Sequence, residues 1–101
     1  MLTDYQGIAV RLTEERLAHI LEHPEMRGLQ GTIEQVLREP EQVVKSLSDT
    51  DATLYYQPYA HPRLGNMFVC VVVKQSADPF VLTAYLTDRV KLGEPVWPRS
   101  S

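Results

Sequence analysis

The stretch Met67-Phe-Val-Cys-Val-Val-Val73 does not alternate. A strand with one wet face reads apolar and polar by turns, so a nearly continuous apolar run predicts a strand covered on both sides, in the interior of a sheet. The run is far too short to cross a bilayer as a helix, which takes about 20 residues. It also holds Cys70, the only cysteine. No internal disulfide is possible, and a buried, inert thiol is expected.

The segments around this run resemble it in kind. From Pro40 onward, "EQVVKSL", "ATLYYQPY", "MFVCVVVK" and "PFVLTAYLT" are separated by "SDTD", "AHPRLGN" and "QSADP", which are rich in turn formers. Pro58 marks the second of these as close to an edge or a bulge. Before Pro40 the period is helical. Thr13 is a good N-cap, and Glu14 and Glu15 suit a first turn. Pro24 ends that helix near Glu22 or His23. Ile33, Val36 and Leu37 space a second short helix over Thr32 to Glu39. Ahead of both, Gly7 to Leu12 alternates enough for a short strand. The expected fold is therefore α+β: two N-terminal helices packed on one face of a four-stranded antiparallel meander, with that short strand as an extra. With 101 residues, 44% of them hydrophobic, the chain suits a single domain over 1–101. Trp97 is expected to lie back over the core, and 98–101 to fray.

The start "MLTDYQG" lacks the basic-then-apolar order of a secretory signal, so a soluble, cytoplasmic protein without a membrane partner is expected. The formal net charge of −3 disfavours a polyanionic partner, because nucleic-acid binders carry a clear basic excess. The imbalance is uneven along the chain. After residue 51 there are three acids, Asp78, Asp88 and Glu94, against Arg63, Lys74, Arg89, Lys91 and Arg99. A sheet built from this half would carry a mildly positive face.

Two groups of residues carry candidate chemistry. In "RLAHILEHPEM", His19-x-x-Glu22-His23 matches the inverted zinc-protease pattern letter for letter. Pro24 disturbs the turn that would hold His23, no strong third ligand is signalled, and no metal is expected. At about 100° per residue, Leu17, Ile20 and Leu21 fall on one side of the helix and Arg16, His19 and His23 on the other. That stripe suits a phosphate or proton transfer, although most such stripes are only solvated helix faces. In "PFVLTAYLT", alternation sends Phe80, Leu82, Ala84 and Leu86 one way and Val81, Thr83, Tyr85 and Thr87 the other. Thr83 and Tyr85 are then placed to donate hydrogen bonds to a phosphate, or simply reflect strand propensity. One of Tyr55 and Tyr56 must face away from the core, where it could stack on a base. Lys74 is a phosphate contact or a solubilising strand end.

Taken in order, "RLAHILEHPEM", "IEQVLREPEQV", "LYYQ", "VVVK" and "VLTAYLTDRVKLGEPVW" resemble the small phage and bacterial members of the barnase, EndoU, colicin and RelE-like nuclease fold, over about residues 13–97. The resemblance implies a metal-independent, cofactor-free endoribonuclease, toxin-like, cleaving RNA by 2′-hydroxyl attack and met in the cell by a cognate inhibitor or antitoxin. It places His19, with His23 as complement, in proton transfer. Thr83 and Tyr85 would bond the phosphate oxygens, Arg16 and Lys74 would neutralise its charge, and Tyr56 would contact the substrate. The alternative within the resemblance is an inactive member acting as a binding module. The nuclease reading requires the imidazole of the first helix and the hydroxyls of the late strand to share one cleft.

Overall fold

The computed structural model describes residues 1–97. Thr13 adopts an extended backbone and its hydroxyl accepts from the Arg16 N–H at 3.1 Å, which starts helix α1, Glu14–Leu21. Pro24 stops it, and the chain turns once as a 3₁₀ helix at Pro24–Met26. Gly28, at a φ of 83° that only glycine takes freely, redirects it into α2, Gln30–Arg38. Ile20, Met26, Ile33, Val36 and Leu37 are the buried side of this helical layer.

Five strands follow the helices: β3 Gln42–Ser46, β4 Ala52–His61, β5 Gly65–Lys74, β6 Phe80–Thr87 and β7 Gly93–Trp97. Two short strands precede them, β1 Leu2–Thr3 and β2 Ala9–Val10, paired with each other. The large sheet runs β6-β5-β4-β3-β7, every neighbouring pair antiparallel. β5 is interior, as its run of apolar residues requires. Val69, Val71 and Val73 face the helices, whereas Cys70 and Val72 face the other way. No helix among the described residues is long and apolar enough to cross a membrane.

The expectation of two N-terminal helices on a four-stranded meander is corrected here. The sheet has five strands, and the helices come after a paired ribbon rather than at the start. The fifth strand escaped because β7 lies beside β3, about 50 residues earlier, and carries Pro95, which reads as a breaker. Instead of lying over the core, Trp97 closes that strand and its ring meets Tyr5 at 5.3 Å. The frayed tail expected at 98–101 lies outside the described residues. The strand expected over Gly7 to Leu12 shrinks to Ala9–Val10, with Arg11 bridging in parallel to Phe80. Pro58 sits in an interior strand, but beyond Tyr56, where β3 has ended, so its missing N–H breaks no ladder.

Strand β6 departs from strict alternation. Its pairing with β5 slips between Val72 and Val73, leaving Leu82 as an extra residue. Val81 therefore joins Ala84 in the helix-side core, and Leu82 packs on the opposite face. The first half of the strand is thus in the reverse phase to that expected.

Two devices fasten the periphery. The buried Asp4 carboxylate accepts from the Gln6 and Ile8 N–H groups through Oδ1 and from the Tyr55 hydroxyl, at 3.0 Å, through Oδ2. This ties the β1–β2 ribbon to β4. At the other margin, residues 88–92 cross the sheet face away from the helices, from the end of β6 to β7, as a strap. Val90 packs against Tyr56, Cys70 and Val72 beneath it, and the Lys91 N–H donates to the Tyr56 hydroxyl at 3.1 Å.

Candidate functional site

The two halves of the expected nuclease site lie on opposite faces of the sheet. Helix α1 packs through Ile20 and Leu17 on the face that carries Val69, Val71 and Val73. Thr83 is the partner of Val72 and Tyr85 the partner of Cys70, both on the far face. A filled apolar layer and the sheet itself stand between the imidazole of His19 and those hydroxyls. The geometry that the proposed chemistry requires is not formed.

On the helix side, the stripe is present and wet. His19 and His23 are exposed, with Nδ1 atoms 3.6 Å from Glu22 and 4.0 Å from Glu25. His23 leaves the helix in extended conformation because Pro24 follows it, so the H-x-x-E-H spacing does not hold both imidazoles on one helical face. Among the described residues no group of three or more metal-ligating side chains comes together. Arg16 reaches the margin of β6, where a guanidinium N–H donates to the Leu82 carbonyl at 3.4 Å and the group lies 5.9 Å from the centre of the Phe80 ring.

On the far face, the candidate groups are occupied. Lys74 donates to Asp49 Oδ2 at 2.6 Å. That bond raises the Lys74 pKa and lowers that of Asp49, leaving an ion pair with little net charge to offer a phosphate. Tyr56 is fully buried, so it cannot stack on a base. Its edge meets Phe68 at 6.2 Å, and burial pushes its hydroxyl up to about 12. Cys70 lies within hydrogen-bonding reach of the Tyr85 and Tyr56 hydroxyls, and burial lifts the thiol to about 11. Burial also raises Tyr85. Near neutral pH these three groups stay protonated, and none serves as a base or a nucleophile.

Two features were not foreseen from the sequence. The first is Asp4, whose local signal was the turn "TDYQG"; its hydrogen bond to Tyr55 spans 51 residues. The second is a cleft of about 750 Å³ between the strap, β3 and β7, with walls from Val44, Val90, Leu92, Pro95 and Trp97. Its two charged residues are Glu41 and Lys91, of opposite sign. Leu92 at its rim is 90% exposed, and Leu47, which lines an adjoining pocket with Leu92, is 72% exposed. The signal for this cleft was the set of apolar residues scattered through "DRVKLGEPVW", which belong to no helical or strand period. Compared with known protein families, with characterised proteins and with solved structures, the chain finds no match.

Proposed function

We propose that the chain is a non-catalytic binding module, and that it takes aliphatic side chains of a partner protein in the cleft between the strap and the β3–β7 corner. The observation that carries this reading is the cleft's chemistry. Its walls are apolar, its rim holds the bare Leu92 with the bare Leu47 in the adjoining pocket, and Glu41 and Lys91 cancel, so its described residues offer little to a polyanion. The separation of His19 from Thr83 and Tyr85 argues the same way, by keeping those groups on different faces of the sheet.

Selection of a random peptide display library on the intact protein tests it. Enriched peptides should be rich in Leu, Ile and Val, and a synthetic copy should lose about tenfold or more in affinity on Leu92→Asp. Absence of enrichment, or binding indifferent to that substitution, would refute the cleft as the site.

A second reading, a metal-independent endoribonuclease, rests on the family resemblance and on the exposed stripe of Arg16, His19 and His23. It requires RNA cleavage in excess chelator that falls about 10²–10⁴-fold on His19→Ala. Such a result would displace the binding reading, and RNA would then be the partner sought.

A further inference from the structure

The strap differs from every other covering element in how little holds it. Between the last residue of β6 and the first of β7, the contacts with the sheet among the described residues are the Lys91 N–H bond to the Tyr56 hydroxyl and the half-buried Val90 side chain. Its next residue, Leu92, is nearly bare. The strand it leads into is also loosely seated. Among the described residues β7 pairs with β3 alone, and its register slips between Val43 and Val44. At Gly93 the contact is tight instead: a Cβ there would strike Val44 Cγ1 and come within 2.5 Å of the Lys45 carbonyl oxygen. Beneath the strap lie Tyr56 and Cys70, both fully buried. The cleft beside it means that strap and β3 are not packed together along their whole length.

We propose that residues 88–97 form a hinged cover, which lifts from the sheet while the helix-side core stays folded and so bares Tyr56, Cys70 and Tyr85. The entry hinge is a turn in which Thr87 Oγ1 accepts from the Arg89 N–H at 3.4 Å and donates to the Arg89 carbonyl at 3.1 Å. Lifting costs the contacts named above, the β3–β7 ladder and the contact of the Trp97 ring with Tyr5. Opening the opposite face would strip Ile33, Val36, Leu37 and Met26 of their burial together. The cover therefore opens at a free energy below that of global unfolding. The inference does not depend on whether the cleft takes a partner.

Cys70, as the only thiol, reports on the event. Its labelling by a thiol reagent in the native protein is compared with amide exchange of Val69 and Val71 in β5, which lose protection only when the core unfolds. Labelling should run well ahead of that exchange. Tyr56→Phe, which deletes the acceptor of the Lys91 N–H, should speed it about fivefold, the ratio that goes with one lost hydrogen bond. Gly93→Ala, which wedges β7 from β3, should speed it as well, and in neither variant should the β5 amides follow in proportion. Labelling that keeps step with β5 exchange, or variants that accelerate both equally, would show that the segment opens only with the whole molecule and would overturn the proposal.

Discussion

The two faces of one sheet are finished in different ways. On the helix side, Val69, Val71, Val73, Val81 and Ala84 form one buried layer with Ile20, Met26, Ile33, Val36 and Leu37. On the strap side, five residues cover tyrosines and a thiol, and leave a cleft. Strands such as β5 supply apolar residues equally to both faces, so the contrast does not come from them. It comes from the cover. An amphipathic helix brings a whole stripe of side chains at once. A strap brings one or two, and polar groups beneath it survive because each finds a hydrogen-bond partner. Stability should therefore reside on one face and adaptability on the other.

Matched truncations give the largest test of that contrast. Ile33→Ala, in the helix-side layer, should lower unfolding free energy by about 3 kcal/mol in a urea titration. Val90→Ala, in the strap, should cost less than about 1 kcal/mol, because the side chain is only half-buried. Equal losses would erase the distinction.

A smaller effect is expected at Asp4, the buried acidic side chain of the helix side. Asp4→Ala leaves two backbone N–H groups and the Tyr55 hydroxyl without their acceptor, and should cost about 2 kcal/mol in the same titration. Asp4→Asn, which keeps an acceptor oxygen, should recover part of the loss. If neither variant moves the midpoint, the ribbon is not held by this carboxylate.

The smallest effect belongs to alkali and to the strap side. Cys70 has a folded pKa of about 11, above its ordinary 9.0. The unfolded chain therefore releases that proton first. The thiol's contribution is complete below pH 9 and is lost as pH rises toward 11, amounting to about 1 kcal/mol by pH 10. Tyr56, raised from 10.0 to about 12, extends the decline at higher pH. In a pH series of urea titrations, Cys70→Ala should flatten the slope between pH 9 and 10. A slope that survives the substitution would assign it to other groups.

Local signals were legible in the sequence, and their long-range partners were not. Thr13 and Pro24 bounded α1, and the run from Met67 marked an interior strand, because caps, prolines and period act over a few residues. The bulge at Leu82 broke the alternation that had assigned the faces of β6; nothing in "VLTAY" announces it, since the slip is set by packing against β5. Strand β7 was hidden by Pro95 and by a partner far upstream. The parts of the expected site lie on different faces for a related reason. His19, Thr83, Tyr85 and Lys74 were each read correctly as polar groups at the ends or faces of elements. Whether two such groups meet depends on which side of a sheet each occupies, and Lys74 was already committed to Asp49, 25 residues earlier.

Pro95 has a consequence for the outer side of β7. The free margin of a sheet is a template on which a strand from another molecule can add itself, and a row of such additions ends in fibres. A residue with no amide hydrogen interrupts the row of donors at the β7 margin, where no other described strand pairs with it. This chain can thus leave its outermost strand in water without inviting its own copies to zip onto it.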